Sequence, residues 1–481
     1  MMRNRATLSL SAALAAAFVA AAAAIAVVLA LSSPAGAQDG GEDEFLLQAR
    51  GDKLPTGIER KVERAGGEVK ETIPQVGLAV VESGEAGFEE RAEDINGVSS
   101  VVADIERRWV DPPAGGEEVD GASDGVGNPP DSGSEDPLFD LQWGHDAVDA
   151  PQAWDEGARG EGARVAILDS GIDADHPDLA PNLNEELSAS FVEGEDYDIA
   201  PGAYFNHGTH VAGTVAAAEN GLGTIGVAPE AELMAVKVLS EETGSGSFSG
   251  IVQGIVYAAE NDADIINMSL GAYFPARQYC DDEGQCVSAR ETSELINAMK
   301  RAMQFANKEG TTVVSSAGNA STDLDADGSG MHVPSEVPGS LSISATGPEG
   351  WALDPGTNLD KPAFYTNYGQ STTDFAAPGG NIDPELQDSG RACTVAGVTD
   401  LCYSFDLVYS TVSEGWGWAA GTSMAAPHVS GVAAIIAAEN GGDMKPSQLE
   451  ADLRGSAEDL GKPGNDDYYG KGRVNAANAV R

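Results

Sequence analysis

From residue 137 onward, short apolar runs alternate with longer stretches in which apolar residues recur at helical spacing. RVAILD (164–169), ELMAVKVL (232–239), DIINMSL (264–270), TTVVSSA (311–317) and SLSISAT (340–346) are nearly continuous in apolar or small residues, as expected of strands buried on both faces. Between them, SGIVQGIVYAAEN and SARETSELINAMKRAMQFANKEG predict amphipathic helices, the second capped by a serine and ended by Gly310. Strand and helix in alternation predict a parallel sheet covered on both sides, with active groups at the carboxyl ends of its strands. Ahead of this region, EFLLQAR, GIERKVERAGGEV, VGLAVVE, GFEERAEDING and VSSVVADIE predict a small α+β unit within residues 38–110. Residues 111–136 contain no Lys, Arg or aromatic residue and are crowded with Gly, Pro, Ser and acids, a composition that buries no core and predicts an exposed linker.

The first 37 residues follow a different pattern. Arg3 and Arg5 precede a long Ala-rich apolar run, which ends at Ala35-Gly36-Ala37. This is the layout of a secretory signal cut after Ala37, so the protein is expected outside the cell; an uncleaved membrane anchor is the alternative, given the length of the run. Lys and Arg number 27 against 77 Asp and Glu, a formal charge of −50, which argues against nucleic acid as a partner and favours a strongly solvated surface. The four cysteines form two close pairs, Cys280 with Cys286 and Cys393 with Cys402. In an exported chain that spacing favours two small disulfide loops, although three connectivities exist and zinc is a weaker alternative.

Four positions carry candidate chemistry. Asp169 ends the first predicted strand in ILDSGID; an isolated D-x-G is ordinarily a turn-former or cap. His207 and His210 lie in NHGTHVAGT, where the H-E-x-x-H pattern of a metal hydrolase lacks its glutamate. A proton carrier needs only one of the two. Ser423 lies in GTSMAAPHVSG at the start of an apolar helix, with Pro427 expected in the first turns, where a missing N–H costs little. Its ordinary role there is an N-cap, just as that of Asn319, in SSAGN after a strand, is a turn residue. Together they match acyl transfer: serine attacks, histidine takes the proton, aspartate orients the imidazole, and amide donors hold the oxyanion.

DSGID, NHGTHVAGT, SSAGN and GTSMAAPHVSG, in that order, resemble the four signature segments of the subtilases, the subtilisin-like serine peptidases. The resemblance covers residues 137–481. It implies an α/β three-layer fold with a mainly parallel sheet between helices, and a serine endopeptidase acting on extended polypeptides. It assigns Asp169 as orienter, His207 as base and acid, Ser423 as nucleophile and Asn319 as oxyanion donor, leaving His210 packed and neutral. Gly244, Ser245 and Gly246 in GSGSF resemble the edge that pairs with substrate backbone; Ser269, Leu270 and Gly271 resemble the opposite wall, and Ser316, Ala317 and Gly318 complete the groove. The unit at 38–110 is similar to inhibitor-like propeptides, which implies a self-processing zymogen cut in or near the linker and acting as a monomer.

The same resemblance implies a structural Ca²⁺ site from Asp136, Asp178, Ala218, Asn220, Leu222 and Thr224. DLDADG at 323–328 imitates an EF-hand start, but its twelfth position is Pro334, so it is taken as a solvated acidic loop. Residues 381–415 depart from the pattern as a cysteine-bearing insertion. His332 is expected either near the base of the main specificity pocket or simply packed. Two rival functions remain open on these residues: a metal hydrolase built on His207 and His210, and a non-catalytic binding protein of the same fold.

Overall fold

The computed structural model describes residues 43–110, 136–280, 286–442 and 444–481. The linker expectation at 111–136 and the signal expectation at 1–37 therefore fall outside the described residues, apart from Asp136.

In the N-terminal unit, strands β1 (Asp43–Ala49), β2 (Glu68–Ile73), β3 (Leu78–Ser83) and β4 (Val98–Ala103) form one sheet in the order β2-β3-β1-β4. Helices α1 (Ile58–Ala65) and α2 (Phe88–Glu93) pack on it, and a short strand β5 (Glu106–Arg108) follows. Gly57 and Gly87 start the two helices at positive φ, where a side chain would be strained.

The larger region opens with α3 (Trp143–Ala147) and α4 (Ala150–Asp155), then β6 (Arg164–Asp169), β7 (Ala189–Ser190), α5 (His207–Ala216), β8 (Glu232–Lys237), β9 (Ser245–Ser247), α6 (Phe248–Glu260) and β10 (Ile265–Met268). After β11 (Ala272–Pro275), β12 (Tyr279–Cys280) and β13 (Cys286–Val287) come α7 (Ala289–Glu309), β14 (Thr312–Ser316), β15 (Gly330–Val333), β16 (Ser340–Thr346) and β17 (Phe375–Pro378). The chain closes through α8 (Pro384–Ser389), β18 (Ala392–Val395), β19 (Val398–Leu401), β20 (Val408–Val412), β21 (Gly415–Ala419), the long α9 (Thr422–Glu439) and α10 (Pro446–Ser456).

Seven strands form the central sheet in the order β17-β16-β14-β10-β6-β8-β7, every pair parallel. Its two faces are covered, as the continuous apolar runs require. Along β6, Val165 and Ile167 enter a core shared with α5 and α9, whereas Ala166 and Leu168 enter one shared with α6 and α7. The five predicted strands all lie in this sheet, and α7 begins with a capping box at Ser288 and Glu291 and ends at Gly310, φ 109°. Both unpredicted strands, β7 and β17, are edges of only two and four residues. β17 ends in Pro378, a residue tolerated at a sheet edge because it donates nothing to the ladder.

The N-terminal unit and the larger region share one compact body over residues 44–481. Leu46, Ile73, Leu78 and Val102 from the small sheet join Ala259, Leu295, Ala298 and Met299 of α6 and α7 in one apolar cluster. Arg301 of α7 reaches the carbonyls of Ala49 (3.0 Å), Gly51 (3.4 Å) and Val76 (3.4 Å). The Asp104 side chain accepts the Ser249 N–H at 3.1 Å, at the start of α6.

Candidate active site

Asp169 is fully buried at the carboxyl end of β6, and His207 is the first residue of α5. The imidazole Nδ1 lies 2.9 Å from both carboxylate oxygens of Asp169. That contact fixes the ring, and with Nδ1–H donating, Nε2 is left as the acceptor. Ser170 joins the two elements: its N–H donates to Asp169 Oδ1 at 2.7 Å, and its Oγ accepts the Gly208 N–H at 3.1 Å. Its carbonyl in turn accepts from the buried Lys237 Nζ at 2.7 Å, an ammonium also held by Glu241 and Glu195. Gly208 is required by closeness: a Cβ there would lie 2.3 Å from the Gly171 carbonyl and 3.0 Å from Asp169 Cβ. The DSG and HG pairs thus belong to one contact.

Ser423 is the second residue of α9 and its N-cap is Gly421, so the serine does no capping. Its Oγ donates to the Ser269 carbonyl at 3.1 Å. Asn319 Oδ1 accepts both the N–H and the hydroxyl of Thr422 at 2.9 Å, which leaves the amide Nδ2 as the donor at the start of α9. Thr422 Oγ1 also accepts the Gly318 N–H at 3.0 Å. Pro427 corrects the sequence expectation: as the sixth helical residue it lies beyond the first turn. It has no N–H to give the Ser423 carbonyl four residues earlier. That carbonyl accepts instead from Ser269 Oγ at 2.7 Å, tying the helix to the segment that follows β10.

A family model described as the subtilase family matches residues 160–472. The chain belongs to the subtilases. This subtilase is 34% identical to subtilisin NAT of Bacillus subtilis subsp. natto over 342 residues, 71% of each chain. To thermitase of Thermoactinomyces vulgaris it is 31% identical over 351 residues, covering 72% of this chain and 98% of that one. Among solved structures, the epidermin leader peptide processing protease of Staphylococcus aureus superposes with a TM-score of 0.68 over 92% of this chain and 98% of that one. At 20% identity that likeness shows the fold. A protease of Pseudoalteromonas arctica matches at 30% identity and TM-score 0.53, over 73% of this chain and 99% of that one. The subtilase is thus a serine peptidase, a hydrolase of peptide bonds whose substrates are polypeptides.

The segment that follows β4 pairs with one of the two expected groove walls and hydrogen-bonds to the other. β5 pairs antiparallel with β9, Arg107 opposite Gly246 and Arg108 opposite Ser245. Trp109 N–H donates to the Gly244 carbonyl at 3.2 Å, and Gly271 N–H donates to the Trp109 carbonyl at 2.7 Å. The buried indole gives its Nε1–H to the Gly246 carbonyl at 2.9 Å and packs against the Phe248 and Phe274 rings. The structure thus brings both predicted walls, 244–246 and 269–271, onto one bound strand. Ser316 Oγ lies 3.4 Å from the Leu270 carbonyl, and Ala317 and Gly318 continue toward Asn319.

His210 is buried with Nε2 3.2 Å from the Val408 carbonyl, and burial beside His207 lowers its pKa to about 3. Among the described residues no three His, Cys, Asp or Glu side chains form a metal-binding group. The residues of the expected Ca²⁺ site nevertheless converge. Asp136 Oδ1 accepts the N–H groups of Asn220 (3.3 Å) and Gly221 (2.7 Å), and Asp178 Oδ2 accepts from Thr224 N–H (2.9 Å) and Trp416 Nε1 (2.7 Å). Burial and, to a lesser degree, the charge of Asp136 push the Asp178 carboxyl up to about 6. Ala218 adjoins through its N–H to the Asp178 carbonyl, and Leu222 through its N–H to Asn220 Oδ1. In the acidic loop at 323–328, Asp323 and Asp327 serve local turns and Asp325 accepts from Ser371. Cys393 and Cys402 are disulfide-bonded; Cys286 is also disulfide-bonded and faces Cys280 across the β12–β13 ladder.

Proposed function

We propose that this subtilase is a secreted endopeptidase made as a self-processing zymogen, with Ser423 as nucleophile, His207 as general base and acid, Asp169 as orienter and Asn319 as oxyanion donor. The observation that supports the reading is a pair of constraints, one on the base and one on the oxyanion donor: Asp169 holds His207 Nδ1 at 2.9 Å from each oxygen, and Thr422 turns the Asn319 amide so that Nδ2 is free to donate. On this reading the Ser423 hydroxyl, which donates to the Ser269 carbonyl in this structure, turns to give its proton to His207 Nε2 when substrate binds. Attack then places negative charge on the carbonyl oxygen, which Asn319 Nδ2 and the Ser423 N–H at the start of α9 stabilise. The protonated imidazole gives its proton to the leaving amine, and water completes hydrolysis of the acyl-enzyme.

The N-terminal unit at 38–110 is, on this reading, an intramolecular inhibitor. Support comes from Glu106–Val110 lying along both groove walls as a substrate would. The signal at 1–37 directs export, the linker at 111–136 accepts the cut, and the matured domain at 137–481 acts as a monomer. Asp136, Asp178, Asn220 and the carbonyls of Ala218, Leu222 and Thr224 would hold a Ca²⁺ that stabilises the fold. The hard oxygen chemistry of two converging carboxylates supports this. There the cation would supply charge neutralisation between the two carboxylates. The Asn220 amide donates from Nδ2 to Asp178 at 3.3 Å and to the Pro177 carbonyl at 3.1 Å, so to hold a cation it would have to turn its oxygen toward the site.

A fluorophosphonate probe tests the assignment. It labels the matured wild type and not Ser423→Ala, and N-terminal sequencing finds a processed terminus only in the wild type. Equal labelling of both proteins sinks the assignment, and chelator-sensitive hydrolysis with probe resistance points to metal chemistry at His207 and His210.

A further inference from the structure

We infer that the imidazole of His332 forms the floor of the cleft that receives the side chain on the acyl side of the scissile bond, and that it restricts this position to small aliphatic residues. The inference rests on Ser423 being the nucleophile. An acyl carbon that reaches Ser423 Oγ with its oxygen toward Asn319 Nδ2 sits between two walls. One is Ser269–Gly271, whose Ser269 carbonyl is 3.1 Å from that Oγ; the other is Ser316–Gly318, whose Gly318 N–H is 3.0 Å from Thr422 Oγ1. The side chain of the cleaved residue branches one bond from that carbon, so it enters between them.

His332 already occupies the space beneath. It arrives on β15, which pairs with β11 just beyond the first wall, His332 opposite Tyr273. A Cβ built on Gly271 would lie 2.3 Å from His332 Cε1, and one built on Gly318 would lie 2.6 Å from Nε2. The Cε1–Nε2 edge of the ring is therefore wedged between these two glycines. The opposite edge is fixed by Nδ1 to Ser335 Oγ at 2.9 Å, and the residue is 7% exposed. Burial lowers its pKa to about 4, so the floor is a neutral ring at ordinary pH. It cannot swing aside without breaking its hydrogen bond and displacing a packed wall.

The chain's own occupant of the groove agrees. After Trp109, whose carbonyl is held by Gly271, the next residue is Val110. Val110 is buried. The bulky indole is accommodated elsewhere, against Phe248 and Phe274. The residue that follows the bound Trp109 is thus short and branched.

The test uses the full chain after self-processing and the coumarylamides acetyl-Arg-Arg-Trp-X with X as Val, Ala, Leu or Phe. The wild type should cleave the Val and Ala substrates with kcat/KM ~10-fold or more above Phe, the scale of steric discrimination in an apolar cleft. His332→Gly should raise kcat/KM for Phe by ~10-fold or more while changing Val by only about threefold. His332→Ser is the second variant, should glycine loosen β15. Equal cleavage of Phe and Val by the wild type, or an unchanged preference in both variants with native circular dichroism, overturns the role of His332. Failure to cleave any substrate, together with no fluorophosphonate labelling, brings down the Ser423 assignment itself and this inference with it.

Discussion

Asn319 shows how neighbours decide what a side chain can do. An amide has one end that accepts and one that donates, and the Thr422 N–H can only donate, so Oδ1 must face it. The donor end is thereby left for an incoming oxygen. Asn319→Ala should lower kcat by ~10²–10³ with KM little changed, the magnitude known for removal of the corresponding single donor in subtilisin itself; a steady-state comparison on one peptide substrate checks it. The residue types at the site were legible in the sequence because the motifs are long and ordered. Their wiring was not. Nothing in DSG shows that Ser170 serves Asp169 with its N–H and the α5 backbone with its hydroxyl, and nothing near Asp178 in sequence points to Trp416, which lies 238 residues away.

Among the elements, α6 stands out because the N-terminal unit contributes to its cap. Ser247 accepts the Gly250 N–H from within the larger region, and Asp104 accepts the Ser249 N–H from outside it. Burial, with a smaller contribution from Glu44, pushes the Asp104 carboxyl up to about 6 against an ordinary 3.8, while hydrogen bonds from Ser249 and Phe248 oppose the shift. A raised carboxyl pKa means the folded state holds the proton more tightly than the unfolded one. Stability from this group is thus greatest below about pH 4 and falls as pH rises to about 6, then stays level. In full-length Ser423→Ala, which on the proposed mechanism stays uncut, adding Asp104→Asn should abolish that decline. Thermal unfolding midpoints of the two proteins across pH 4–7 would run parallel if Asp104 does not titrate there. The periodicities of α6 and α7 were readable from sequence to within a residue; the cap from Asp104 was not, since it joins segments about 145 residues apart.

At the scale of the molecule, the alternation of strand and helix was enough to foresee a parallel sheet with both faces covered. It could not give the strand order, which comes from contacts distant in sequence, and it missed both edges. The formal charge of −50 bears on the Ca²⁺ proposal, because carboxylates gathered without a cation repel one another. Chelation should lower the thermal midpoint of the wild type, and Asp178→Asn should both lower it and remove most of the effect of chelator; an unchanged midpoint on chelation argues against a structural cation. One further consequence follows from β6. Its side chains alternate between the two cores and its last residue is Asp169, so both halves of the interior press on the strand that aims the carboxylate. On the proposed assignment, substitutions at Ala166 or Leu168, which face α6 and α7, would reach Asp169 from the side of the sheet opposite α5, so turnover can be retuned from positions that do not contact His207.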